Sequence, residues 1–322
     1  MKYADEFRDR EKAQILLREI RQLADRIEIT KKRPLNIMEV CGGHTHSIFR
    51  YGLEGMLPPS IELIHGPGCP VCVLPMGRVD DCVAIAERPG MIFTTFGDAM
   101  RVPGSKKSLL QAKAAGADVR MVYSPLDALA LARKHPDQDV VFFALGFETT
   151  MPSTAFTILQ AEAEGITNFS IFCNHITIVP TVKAILDSPD LQLDGFLGPG
   201  HVSMVIGTSP YAFIADYYKR PMVVAGFEPL DVLQSIWMVL KQIVEQRAEV
   251  ENQYARIVPE RGNDPALEAI GKVYELREFF EWRGLGSIDH SGVRIKESYA
   301  RFDAEKRYAL PNISIADPSS CQ

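Results

Sequence analysis

Along residues 14–27 the apolar side chains Ile15, Leu16, Ile20, Leu23 and Ile27 recur at helical spacing, so an amphipathic helix is predicted to open the chain. Beyond it the pattern changes. Short runs rich in β-branched and aromatic residues end in Gly/Pro-rich loops and lead into helical stretches, which is how β-α units around a parallel sheet read. Strands are predicted at 35–40, 61–65, 91–96 and 119–123, and again at 140–145, 169–173, 195–197 and 222–225.

The two sets echo one another. Val122-Tyr-Ser-Pro-Leu-Asp-Ala-Leu129 is matched by Gly226-Phe-Glu-Pro-Leu-Asp-Val-Leu233, each following a strand and opening a helix with proline in its first turn. Phe96-Gly-Asp98 and Pro103-Gly-Ser105 stand likewise against Gly198-Pro-Gly-His201. The pattern predicts an α/β protein of two similar parallel-sheet β-α domains facing each other across a cleft, with an amino-terminal helix and a carboxyl-terminal α+β extension. The expected divisions are a first domain over 1–134, carrying the Cys41, Cys69 and Cys72 loops, a second over 135–229, and a final part over 230–322. There a helix from 230 to about 252 returns toward the first domain, and the tail holds a helix near 267–280 followed by turns and short polar strands.

Composition narrows the class. A chain of 322 residues with 46% hydrophobic and 24% charged residues can bury a substantial core. Its 35 basic and 41 acidic residues leave a net charge of -6 without a basic run, so nucleic acid is not an expected partner. The charged amino terminus and the lack of a long apolar run predict a protein that is neither secreted nor membrane-embedded. Six cysteines, two of them in a Cys-x-x-Cys, suit a reducing cytoplasm in which thiols serve as ligands or redox groups.

The unusual polar and cysteine motifs fall at the carboxyl ends of predicted strands, where open parallel sheets form their binding crevice. Cys41-Gly-Gly-His-Thr-His46 follows the first strand, and a thiol at a helix start beside imidazoles is expected to tend toward thiolate. Gly66-Pro-Gly-Cys-Pro-Val-Cys72 places Cys69 and Cys72 at a spacing that permits a reversible disulfide or two bonds to one metal. Cys82, in a helical stretch, and Cys173, ending an apolar strand, read as core residues. Glu148 of Gly146-Phe-Glu-Thr-Thr150 and His201 are the expected proton-transfer or ligand-orienting groups, facing the first-half loops across the cleft. His175 reads equally as structural, and Asp98 and Asp127 equally as turn or cap residues. No P-loop, dinucleotide fingerprint or serine elbow occurs. The residues alone leave several readings open: a thiol-based assembly scaffold, a zinc enzyme or thiol-disulfide oxidoreductase built on Cys41, Cys69 and Cys72, and a two-lobed binding module.

Together the Cys41–His46 and Gly66–Cys72 motifs, Thr95-Phe-Gly-Asp-Ala-Met-Arg-Val-Pro-Gly104, Gly146–Thr150 and Pro199-Gly-His-Val-Ser203 resemble, in order and over nearly the whole chain, the motif set of the hydrogenase maturation factor HypD family. The resemblance implies a scaffold for the Fe(CN)2CO moiety of nickel-iron hydrogenase, with HypC as chaperone partner and HypE as cyanide donor. It implies that Cys41 ligates iron, that Cys69 and Cys72 form a redox-active pair, also counted as metal ligands, and that His44 and His201 tune or orient the site while Glu148 lines the cleft. It further implies a four-iron four-sulfur cluster held by a cysteine-rich carboxyl-terminal segment. Here the sequence departs from the pattern, since Cys321 is followed only by Gln322, and one cysteine cannot hold a cluster that takes four. The ending is expected to be that of a fragment.

Overall fold

The computed structural model describes residues 5–28, 33–188 and 191–310. A helix over Arg10–Glu28 is followed by strands β1 Leu35–Glu39, β2 Ile61–His65, β3 Met91–Thr95, β4 Val119–Met121, β5 Asp139–Gly146, β6 Phe169–His175, β7 Gly195–Pro199, β8 Met222–Ala225 and β9 Val250–Asn252. Helices alternate with these strands. The later strands are β10 Tyr274–Leu276, β11 Phe279–Trp282, β12 Gly286–Asp289 and β13 Val293–Ile295.

Two compact units emerge, each discontinuous in sequence. The first runs to Cys69 and resumes over Val182–Asp264, and the second takes Pro70–Thr181 and resumes at Pro265. The expected boundary after residue 134 is therefore corrected, because it would separate β3 from β5, which pair in parallel with Met91 opposite Asp139. Likewise β7, expected in the second domain, pairs with β1 through Ile37 and Gly195 and so belongs to the first sheet. The final part does not hold together either: helix Pro229–Val244 belongs to the first unit, and the tail to the second.

The first unit is built on the parallel sheet β2-β1-β7-β8-β9. Helices Arg10–Glu28 and Pro229–Val244 supply Ile20, Ala24, Ile27, Ile236, Val239 and Leu240 to a core shared with Ile37, Leu63, Leu197 and Val223 of the strands. The apolar stripe of the opening helix thus has a specific partner. Where one long helix was expected to reach about residue 252, the helix stops at Val244, Gln246 takes φ 54°, and the chain re-enters the sheet as β9. Arg247, bonded to Glu245, Glu249 and Glu251, ties that turn together.

The second unit is built on β4-β3-β5-β6, also parallel. Alternate residues of β5 serve opposite faces, Val140, Phe142 and Ala144 entering one core and Val141, Phe143 and Leu145 the other. A sheet buried on both faces needs this unbroken apolar run. In the tail the helix ends at Val273, earlier than expected, because Tyr274–Leu276 pair antiparallel with β13 and β11 pairs with β12. Val273, Tyr274, Val293, Ile295 and Phe302 then join the core on one face of this sheet.

Numbered by occurrence within each unit, both sheets follow the order 2-1-3-4, with a fifth strand added in the first. That order reverses direction between the first and third strands, and the crevice beyond their carboxyl ends is where such sheets bind ligands. The sequence echo is visible at the helix starts too: Asp127 accepts from the Ser124 N–H at 3.0 Å, and Asp231 from the Glu228 N–H at 3.2 Å.

Candidate functional site

In the first unit the reversal point lies between β1 and β7, and Cys41 and His201 stand just beyond the ends of those two strands. His201 was expected to face the cysteine loops from a different domain. Direct pairing of β1 with β7 instead brings it beside Cys41, with Nδ1 3.8 Å from Sγ. Cys41 is the N-cap of helix Gly42–Tyr51 with extended backbone angles, and its carbonyl accepts from the His44 N–H at 2.8 Å. Burial pushes the thiol's pKa up to about 11, outweighing the backbone N–H groups of Gly43, His201 and His44 that draw it down, with the nearby Glu39 acting in the same direction as burial. The expectation of a thiolate is therefore corrected for the metal-free protein. Only 8% of Cys41 is exposed, and desolvation disfavours the charged form.

Beneath Cys41 lies a carboxylate that sequence reasoning missed. Glu39, fully buried at the end of β1, accepts the Cys41 N–H at 3.0 Å, His65 Nδ1–H at 2.8 Å and the Thr45 hydroxyl. A carboxylate only accepts, so His65 carries its proton on Nδ1 here. The available signal was a charged residue inside the otherwise apolar run Ile37-Met38-Glu39-Val40.

The loop bearing Cys69 is pressed onto this strand end. Gly66 donates to the Glu39 carbonyl at 2.8 Å, and Gly68 accepts from the Gly42 N–H at 3.3 Å. A Cβ on Gly68 would stand 2.6 Å from the Cys41 Cα, which with one further Cα–Cα step puts the Cys69 Cα within roughly 8 Å of it. The loop that carries Cys69 thus packs against the backbone of Cys41. Cys69 is half-buried, and Cys72 is exposed at the start of the second unit.

His44 is fully enclosed. Burial lowers its pKa to about 4, and its neutral ring donates from Nε2 to the Ala225 carbonyl at 3.1 Å, leaving Nδ1 buried without a hydrogen-bond partner. Phe227 stacks on both imidazoles, its centroid 4.7 Å from that of His44 and 3.8 Å from that of His201.

In the second unit the reversal point lies between β3 and β5, and Glu148 follows β5. The turn needs glycine: Gly146 has φ 144° and a Cβ there would meet Thr150 Oγ1 at 2.0 Å. Glu148 Oε1 accepts the Ile178 N–H at 3.1 Å, Oε2 is buried without a hydrogen-bond partner, and burial raises the carboxyl pKa to about 7. Such a group can give or take a proton near neutrality. His175 is a core residue, with Nδ1 near the Gly146 carbonyl and Nε2 3.2 Å from Thr154 Oγ1. Asp98 caps a short helix through the Ala99 N–H and Asp127 makes its capping bond, so both are structural. Cys82 and Cys173 are enclosed, at 0% and 1% exposure.

Among the described residues no group of three or more His, Cys, Asp or Glu side chains is arranged to hold a metal ion, and Cys321 lies outside the described residues. The described residues therefore do not supply four converging thiolates for a resident four-iron cluster. Among them, too, no helix is long and apolar enough to cross a membrane.

A family model described as HypD, hydrogenase formation hypA family, matches residues 11–322. Hydrogenase maturation factor HypD of Rhodobacter capsulatus is 65% identical over 310 residues, covering 96% of this chain and 82% of that protein. The protein of the same name from Escherichia coli (strain K12) is 57% identical over 317 residues, covering 98% and 85% respectively. Hydrogenase expression/formation protein HupD of Azotobacter chroococcum mcd 1 is 52% identical over 330 residues, covering 100% and 85%.

Proposed function

The chain belongs to the HypD family, and we propose that it acts in hydrogenase maturation as a cytoplasmic thiol scaffold on which the Fe(CN)2CO moiety of a nickel-iron hydrogenase is held during assembly. Iron is cargo here. Cys41 is its protein ligand, HypC the chaperone that brings and shares it, and HypE the donor of cyanide. The observation that carries this reading is Cys41 itself, a thiol at the reversal point of a parallel sheet with Gly68, the neighbour of Cys69, seated on its backbone.

The chemistry of the site suits such cargo. Low-spin ferrous iron carrying cyanide and carbon monoxide is a soft acceptor for which thiolate is a soft donor. Cys41 keeps its proton in the metal-free protein, since burial raises its pKa to about 11, and a bound metal displaces that proton because the coordinated form is the thiolate. The N–H groups of Gly43, His201 and His44 then stabilise the sulfur's charge. Loading of iron therefore releases a proton, and unloading restores a neutral thiol that has little hold on water or stray ions.

Cys69 and Cys72 form the dithiol of this scheme. Oxidation to a disulfide yields two electrons and two protons to the ligand-attachment step, and an external dithiol resets the pair. Exposure of Cys72 supports exchange with such a reductant. His201 orients the Cys41 sulfur, His44 braces the Cys41 loop, and Glu148 is a proton-transfer group. The test is complementation of a strain lacking its own maturation factor: Cys41→Ala, Cys69→Ala and Cys72→Ala should each abolish hydrogenase activity, while Cys82→Ala should not. Full activity of the Cys41→Ala protein would overturn the reading.

A further inference from the structure

We infer that Phe227 is the positioning residue that holds the His201 ring against Cys41, an inference that rests on the reading of Cys41 as the iron-holding thiol for its functional meaning. His201 sits in the first turn of helix Gly200–Ile206, exposed on one side. Rotation of its side chain would carry Nδ1 away from Sγ. The phenyl ring lies flat on the imidazole at 3.8 Å with an interplanar angle of 20°, and a flat contact of that kind fixes a ring plane in a way that an aliphatic side chain does not.

Phe227 is itself held on several sides. A Cβ on Gly43 would come within 2.7 Å of its Cε1, and one on Gly200 within 3.1 Å of Cε2 and Cζ, so both backbones approach the ring directly. Tyr254 meets it edge-on at 5.8 Å, and His44 stacks on it at 4.7 Å. The residues that follow are anchored by ion pairs, Glu228 with Arg8 and Asp231 with Arg256 at 2.8 and 2.6 Å.

The sequence echo supplies an independent control. In the second unit the place of Phe227 is taken by Tyr123, which also precedes a capped helix start, and Tyr123 is 84% exposed. Forming that strand-to-helix turn therefore does not require an aromatic ring to be packed. Phe227 itself is only half-buried, so filling the core does not explain it either. What distinguishes the first unit is the imidazole on which the ring lies.

The experiment is a double-mutant cycle on metal-free protein carrying Cys69→Ser and Cys72→Ser, reading the rate at which iodoacetamide alkylates Cys41, identified by peptide mass spectrometry, across a pH series. Phe227→Leu should change that rate by about threefold or more, Phe227→Tyr should keep it, and in a His201→Gln background Phe227→Leu should produce no further change. An unchanged rate in Phe227→Leu, an equal change in Phe227→Tyr, or the same change with His201 already replaced would each overturn the inference, the last because it would mean the ring only controls access. If Phe227→Leu unfolds the first unit by circular dichroism, Phe227→Met, apolar but without a flat face, is read in its place. Because no iron is present in this measurement, its outcome is separate from that of the Cys41→Ala complementation test.

Discussion

Gly68 lies so close to Cys41 that a Cβ on it would stand 2.6 Å from the Cys41 Cα and 2.6 Å from the Gly42 nitrogen. Both obstacles are backbone, which cannot swing aside. Gly68→Ala should therefore lift the Cys69 loop off the end of β1 and abolish maturation while leaving helix content by circular dichroism unchanged. Gly271→Ala, where nothing lies within 4 Å and the residue is within helix Asp264–Val273, is the control. It should leave maturation intact and add up to about 1 kcal/mol of stability.

Glu39 gathers donors from Cys41, Thr45 and His65 while wholly removed from water. Glu39→Ala strands all three, and urea denaturation should show a loss on the order of 3 kcal/mol. Glu39→Gln keeps one acceptor oxygen and should lose clearly less. Equal losses from the two variants would mean that hydrogen bonding is not what the carboxylate contributes.

Glu148 gives the protein a pH dependence with a definite sign. Burial on folding raises its pKa to about 7 from the ordinary value of 4.5, so between those values the folded chain binds the extra proton. Its contribution to stability is complete below the unfolded value and is lost as the pH rises through about 7, a swing on the order of 3 kcal/mol. Glu148→Gln removes this swing. Chemical denaturation from about pH 5 to about pH 8 should show the variant gaining on the parent protein as the pH rises, and parallel profiles would contradict the assignment.

Thiol labelling under native conditions should follow burial. Cys72, exposed, should react first, then half-buried Cys69, and Cys41 more slowly at 8% exposure. Cys82 and Cys173, at 0% and 1%, should label only after unfolding. Peptide mass spectrometry reads each site separately, and early labelling of Cys82 would show that the helix Met76–Ala86 opens in the native state.

Much of this was legible in the chain. Strands 61–65 and 222–225 were predicted to the residue, because short apolar runs bounded by turn residues leave little freedom at either end. The candidate loops stood out since cysteine, glycine and histidine at strand ends have no packing reason to cluster there. What could not be read was adjacency. β1 pairs with β7 across a separation of more than a hundred residues, so His201 was assigned to the wrong unit. β9 was absorbed into a helix because Val250-Glu-Asn252 carries only an edge strand's weak pattern. Phe227 was invisible, and Glu39 was marked only as a charge within an apolar run, for a related reason: a carboxylate in a strand or a phenyl in a loop acquires its role only from what the fold sets beside it.

The central claim is that Cys41 holds the iron. Its most direct test is infrared spectroscopy, in the cyanide and carbonyl stretching region, of the protein co-purified anaerobically with HypC. The account predicts bands from both ligand types in the parent complex and their loss in the Cys41→Ala complex, with HypC still bound. Bands of undiminished intensity in the Cys41→Ala complex would contradict it.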